Sequence, residues 1–209
     1  MATDWRTWHA RYDEPESSLA RRLIVVRRRV AETLAARHET APMRVLSLCS
    51  GDGRDLIPEL AGSGHGTAGT VLVEQDETLA NDARATARRL GLSRVRVVIG
   101  DAGDSATFAF ALPVDLLLLC GIFGNVSEHD IAATIAAAPR MLRPGATVIW
   151  TRGSAEPDVR PAIRRWFFDA GFRESAFDSE PQGFGVGVAQ LAETVDDGPL
   201  PRRLFTFMR

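Results

Sequence analysis

No lysine occurs anywhere in this 209-residue chain; all 25 of its basic side chains are arginine. A chain without lysine forms no lysine Schiff base and lacks the Gly-Lys-Ser/Thr of a phosphate-binding loop, which excludes pyridoxal enzymes and P-loop kinases. Cysteine is almost as scarce, with Cys49 and Cys120 the only two. No apolar run reaches the roughly 18 residues that a bilayer crossing needs, and no apolar stretch follows Met1–Arg6, so a signal peptide and a membrane span are not expected and a cytoplasmic location is. The four histidines, His9, His38, His65 and His129, are scattered without ligand spacing, so no metal is expected. A formal net charge of -2 and the lack of a basic tail argue against a nucleic-acid partner. The cluster Arg21, Arg22, Arg27, Arg28 and Arg29 reads as a solvated helix face.

What is present is organised around Val45-Leu46-Ser47-Leu48-Cys49-Ser50-Gly51-Asp52-Gly53-Arg54-Asp55. A short apolar run breaks into a glycine turn, and the helical pattern Leu56, Ile57, Leu60 follows at once. Gly51 and Gly53 lack a Cβ, so the backbone can take positive φ and a ligand can approach the main chain. The first amides of the helix then point at whatever is bound.

Before this turn, Trp5, Trp8 and Tyr12 recur at helical spacing, and Leu19, Leu23, Val26, Val30 and Leu34 form the apolar stripe of a second helix. After it, strands are expected at Thr70–Val73, Val95–Ile99, Asp115–Leu119 and Thr147–Trp150, alternating with helices around Leu79–Leu90, Ser127–Ile135 and Pro157–Ala170. Phe172–Phe177, Val186–Leu191 and Leu204–Met208 are three strand-like runs with no helix between them, which predicts antiparallel pairing. The length fits one compact domain, with residues 1–42 as a helical cap on a core spanning 43–209. The fold class is therefore α/β, a Rossmann-like sheet, mostly parallel, with helices on both faces. Its ligand belongs at the carboxyl ends of the strands.

Glu74 ends the second strand, where a carboxylate can accept from both hydroxyls of a ribose. Asp101, after the third strand, can accept from an exocyclic purine amine with the Ala102 amide beside it; a helix cap is the plainer reading. From about residue 43 onward these features resemble the class I S-adenosylmethionine-dependent methyltransferases. Cys49-Ser50-Gly51-Asp52-Gly53 resembles their glycine-rich first motif, Glu74 the ribose-binding acid, Gly100-Asp101-Ala102 the adenine segment, and Leu142-Arg143-Pro144-Gly145 the turn before the fifth strand. The resemblance implies a seven-stranded sheet with an antiparallel last strand and S-adenosylmethionine as cofactor. It implies cofactor contacts from Cys49, Ser50, Gly51, Gly53, Asp55, Glu74, Gln75, Asp101, Ala102, Cys120 and Gly121. Two positions depart from the pattern: Ser47 and Cys49 stand where the family usually has an acid and its first glycine. Asp52 or Asp55 could take over the methionine ammonium. Cys120-Gly121-Ile122-Phe123-Gly124-Asn125 lacks the Asn/Asp-Pro-Pro-Tyr/Phe of relatives that methylate nucleic acids and protein amides.

The expected activity is methyl transfer to a heteroatom of a small-molecule acceptor. The catalytic residues stay unassigned, with His9, Tyr12, Asp13 and His129 as candidates for a base. Trp5, Trp8, Tyr12, Phe123 and Asn125 are the expected acceptor contacts, the first three as a lid that excludes water. Cys49 and Cys120, each ending a neighbouring strand, are expected close together as free thiols. A homodimer is left open. Two alternatives remain: a protein that binds S-adenosylmethionine for other chemistry or none, and a nicotinamide oxidoreductase, against which Leu56 stands in place of a third glycine.

Overall fold

A computed structural model describes residues 11–36, 43–64, 69–181, 183–192 and 198–208. The strands are β1 (Arg44–Leu48), β2 (Gly69–Glu74), β3 (Val95–Ile99), β4 (Val114–Leu119), β5 (Leu142–Gly153), β6 (Phe172–Ser179) and β7 (Phe184–Leu191). The helices are α1 (Ser18–Ala35), α2 (Ile57–Gly62), α3 (Glu77–Arg89), α4 (Glu128–Ala137) and α5 (Arg160–Asp169), with a 3-10 turn at Arg11–Asp13. The seven strands form one sheet in the order β3-β2-β1-β4-β5-β7-β6. Strands β1 to β5 pair in parallel, and β7 runs antiparallel between β5 and β6.

Strand β4 explains why the sheet is covered on both faces, since all six of its residues are buried. On one face Val26, Val30 and Leu34 of α1, Ile57 and Leu60 of α2, and Ala80, Ala83 and Ala87 of α3 close over Val45, Leu116, Leu118 and Ile149. On the other, Ile131 and Ile135 of α4 and Ile163 and Phe167 of α5 close over Leu46, Leu117, Val148 and Trp150. Polar caps start the helices: Ser17 accepts from Ala20 N, Asp76 from Thr78 N and Leu79 N, and Ser127 from Asp130 N. Helix α1 is thus a layer of the main core rather than a separate unit, while the Arg11–Asp13 turn ahead of it reaches the strand ends.

Three expectations are corrected. Leu204–Met208 is not a strand of the sheet: β6 already forms the edge, and this segment instead bridges two loops, pairing Arg203 with Asp104 and Phe207 with Val126. Leu204 and Phe205 are buried beneath it, Leu204 N donates to Gly103 O (2.9 Å), and Met208 N donates to Asn125 O (2.8 Å). The arginine cluster is not a solvated face. Arg21 pairs with Glu180, Arg27 with Glu59, and Arg28 and Arg29 with Asp178, so the row binds α1 to α2 and to the β6–β7 hairpin. Arg22 is itself buried, and Leu23 of the expected stripe is only half-buried.

Candidate functional site

The turn after β1 keeps the backbone of the glycine-rich motif even where its sequence departs. Cys49 has φ 55°, the left-handed region that glycine takes without cost, and Gly51 and Gly53 follow at 56° and 73°. The inversion at Cys49 also redirects its side chain. Continuing the β1–β4 register two residues brings Cys49 beside Cys120, yet Cys49 packs with the α4–α5 core and Cys120 with the α1–α3 core. The two thiols are free and end neighbouring strands, but on opposite faces of the sheet. Burial pushes both thiols up, so neither is a thiolate at neutral pH. Gly53 serves packing: a Cβ there would lie 2.5 Å from Ile57 Cδ1 and 2.9 Å from Leu72 Cδ2.

On the β2–β3 side, Glu74 Oε2 accepts from Gly51 N at 2.7 Å, and Oε1 accepts from Gln75 N and Asp76 N, both at 2.9 Å. A carboxylate has about four acceptor positions, so one remains, on Oε2. That position is open to a ribose hydroxyl. Gln75 contributes its amide while its side chain is exposed. Asp101 Oδ1 accepts from Gly103 N at 2.8 Å, and Oδ2 accepts from Arg203 of the C-terminal bridge. Ala102 is buried behind it.

On the β1–β4 side lies a second group of polar residues. Asp52 is held by Arg54, whose Nε and Nη2 approach both of its oxygens. Asp55 is different: its Oδ1 is buried and no hydrogen bond reaches it among the described residues. Burial, aided by the charge on Asp52, raises its pKa to about 6 against a hydrogen bond from its own backbone amide and the pull of Arg22 and Arg54. Ser50 Oγ is likewise buried without a partner. Of the two acids that could replace the missing family acid, Asp55 is the one still available, while Ser47 is buried at 1% exposure within β1. Tyr12 sits over this end. The Arg54 guanidinium lies 4.9 Å from its ring centroid, and Arg22 Nη2 donates to its hydroxyl at 2.6 Å. Burial raises the Tyr12 pKa further above the ordinary phenol, so it is no base near neutrality. Asp13 is exposed and pairs with Arg54 at 3.3 Å.

After β4, Gly121 takes φ 80° and its amide donates to Thr151 Oγ1 at 2.9 Å. Asn125 Nδ2 donates to Gly121 O at 2.8 Å, which makes it a brace of this loop. Phe123 corrects an expectation: it is 1% exposed and packs on Trp150 with centroids 6.3 Å apart, so it is core and not an acceptor contact. His129 is exposed on the first turn of α4. His9, Trp5 and Trp8 lie outside the described residues. Among the described residues no three His, Cys, Asp or Glu side chains come together as a metal site, and no helix is long and apolar enough to cross a membrane.

Residues 45–145 match the model of a methyltransferase domain. Over these residues, just under half of the chain, it is similar to a methyltransferase domain, in line with its resemblance to the class I S-adenosylmethionine-dependent methyltransferases. Solved structures carry the same fold. Magnesium protoporphyrin IX methyltransferase of Synechocystis PCC 6803, with bound S-adenosylmethionine, is 14% identical, covers 90% of this chain and 91% of its own, and superposes with a TM-score of 0.69. An O-methyltransferase family protein of Burkholderia thailandensis is 17% identical over 90% of this chain, with a TM-score of 0.62; the present chain spans 60% of its length. A carbon methyltransferase, CurJ, is 14% identical over 82% of this chain and 54% of its own, with a TM-score of 0.61. No curated protein sequence matches.

The fold implies S-adenosylmethionine as cofactor, and the residues at the strand ends fit it. An amino-acid end needs an acceptor for its ammonium and a donor for its carboxylate, and the orphaned Asp55 Oδ1 and Ser50 Oγ are one of each. An adenosine end needs acceptors on the β2–β3 side, where Glu74 and Asp101 stand. Three residues of this region escaped the sequence reading. Arg22 was hidden in an arginine run, Arg203 lies just ahead of the run that reads as a strand, and Arg152 is the last residue but one of β5.

Proposed function

We propose that this methyltransferase moves the methyl group of S-adenosylmethionine to a heteroatom of a small-molecule acceptor. The observation that carries the reading is the polarity of the site: a carboxylate with one free acceptor position at the β2 end and a buried carboxylate with one unpartnered oxygen beyond the β1 turn. That arrangement suits an elongated ligand with a hydroxylated end over β2 and a cationic end over β1. When bound, the cofactor supplies an electrophilic methyl on a sulfonium. The chain's part is to hold the two ends, align the acceptor and exclude water. With the adenosine contacts over β2 and β3, the acceptor is left the ground above β4 and β5. Among the described residues Tyr12 and the loop after β4 frame that ground. A small acceptor is also what the protoporphyrin enzyme of the same fold takes.

The test is calorimetric titration with S-adenosylmethionine and S-adenosylhomocysteine, followed by transfer of labelled methyl to a library of small hydroxyl, amine and thiol compounds. Binding with heteroatom labelling supports the reading. Binding with labelled carbon products moves the reaction to another atom, and binding without transfer to any acceptor makes the chain a cofactor-binding protein.

A further inference from the structure

Arg152 lies near the carboxyl end of β5, beside the loop that follows β4. Leu119 pairs with Trp150, so two residues further along the register Gly121 stands beside Arg152. Its guanidinium reaches over that loop: a Cβ built on Gly124 would lie 4.0 Å from Arg152 Nη1, and glycine leaves that side open. The side chain is half-buried, Nε is buried with no hydrogen-bond partner, and Nη1 has only a long contact of 3.3 Å to Gly153 O. A guanidinium carries five donors in a planar fork, so this one is poorly satisfied.

The nearby acids do not serve it. Asp158 gives both its oxygens to Arg160, at 2.8 and 2.7 Å. Asp158 and Glu128 act on Arg152 only through space, Asp158 the more strongly, and the Arg160 charge opposes them. Arg160 shows what a structural arginine looks like in this fold, since it is bound by Asp158 and by the carbonyls of Glu180, Pro181 and Phe184. Desolvating a charge without a direct partner is costly, and an anion at the fork would offset that cost. We propose that Arg152 binds a carboxylate carried by the methyl acceptor, in a forked, bidentate pair. The idea rests on the reading that an acceptor sits above β4 and β5. It makes the substrate class an anionic small molecule, held by its carboxylate on Arg152 while its nucleophilic atom points toward β1.

The experiment uses the full chain saturated with S-adenosylhomocysteine and titrates benzoate, phenylacetate and octanoate against their primary amides. The wild type should bind at least one carboxylate, with the matching amide weaker by about tenfold or more. Arg152→Gln should abolish that preference, and Arg152→Lys should keep part of it. The Arg152→Gln protein should also melt no lower than the wild type, because a half-buried charge without an ion-pair contact is removed. Equal binding of acids and amides, equal binding by wild type and Arg152→Gln, or no carboxylate binding at all overturns the proposal. So does a large fall in melting temperature, which makes the residue structural, or a loss of S-adenosylhomocysteine affinity, which makes its anion the cofactor's own carboxylate. Transfer of labelled methyl is followed separately, so failure of the methyl-transfer reading shows as absent label while carboxylate binding still reports on Arg152.

Discussion

Arg203 Nη1 donates to Oδ2 of Asp101, a residue 102 positions earlier in the chain. The pair fastens the C-terminal bridge to the acid beside the expected adenine pocket, and Gly103 N fixes the other oxygen of the same carboxylate. Both side chains are about half exposed, at 52% and 45%, so the charge pair itself is weak and salt-sensitive. Its value lies in orientation. Arg203→Ala should weaken S-adenosylhomocysteine binding roughly three- to tenfold, and 0.5 M salt should shrink the difference from wild type. Calorimetry at two salt concentrations checks this, and equal affinities at low salt would remove Asp101 orientation from the account.

Glu74 would carry a double load, because the carboxylate expected to meet the ribose already accepts from three backbone amides. Glu74→Gln turns one oxygen into a donor facing an amide hydrogen. The variant should lose melting temperature without ligand as well as affinity with it, and the binding loss should be about 1.5 to 3 kcal/mol. An affinity loss with no change in the free protein's stability would mean that the amide contacts are incidental.

The parallel core and its glycine turn were legible because their signals are local: an apolar run for a strand buried on both faces, and glycine for positive φ. Leu204–Met208 misled because alternation marks a half-buried extended segment and cannot say whether the partner is a sheet edge or a pair of loops. Phe123 misled in a similar way, since an aromatic next to a strand end can turn into the core as easily as toward a ligand. Arg22 and Arg152 were invisible for another reason. Burial of an arginine depends on what the tertiary fold brings over it, and neither residue has a neighbour in sequence that announces this.

Asp55 should make both stability and cofactor binding depend on pH. Its pKa is raised from 3.8 to about 6 by burial. Below about pH 4 it is protonated folded and unfolded, and its burial costs little. Between about pH 4 and 6 the unfolded chain gives up the proton that the folded protein keeps, so stability falls across that window, by an amount on the order of 3 kcal/mol, and levels off once pH has passed 6. A bound ammonium favours the ionised form, so affinity should climb from pH 5 to about 6 and then level off. Asp55→Asn should flatten both profiles. Melting curves and titrations from pH 4.5 to 8 test the pair, and an unchanged binding profile in the variant would take the ammonium away from Asp55.

Cys49 and Gly53 share positive φ but not surroundings. At Cys49 the side chain already fits, so Cys49→Gly trades about 1 kcal/mol of left-handed strain against lost burial and a looser unfolded chain. The net change should stay within about 1 kcal/mol, with cofactor affinity intact. At Gly53 a Cβ meets Ile57 and Leu72 at 2.5 and 2.9 Å, so Gly53→Ala adds overpacking of about 1 to 3 kcal/mol to the strain. Denaturant unfolding of the two variants should separate them clearly; equal losses would show that φ alone governs the turn.

Tyr12 gives the sharpest test of whether the N-terminal segment is a lid. Its ring covers Arg54, its hydroxyl is held by Arg22, and Asp55 and Cys120 are close enough to act on its charge. A cover and a base make different demands on the same residue. A base needs the hydroxyl, and burial has pushed this one further from ionising, so Tyr12→Phe should keep most of the turnover and leave the pH profile in place. A cover needs the ring. Tyr12→Ala should lower kcat for methyl transfer by about tenfold or more through misplaced acceptor and admitted water, with a smaller loss in S-adenosylmethionine affinity. If affinity and turnover fall together, Tyr12 belongs to the cofactor site. If neither moves, the ring is packing on the β1 turn and the lid must be sought elsewhere. Collapse of turnover in Tyr12→Phe with a shifted pH profile would return the phenol to the role of base.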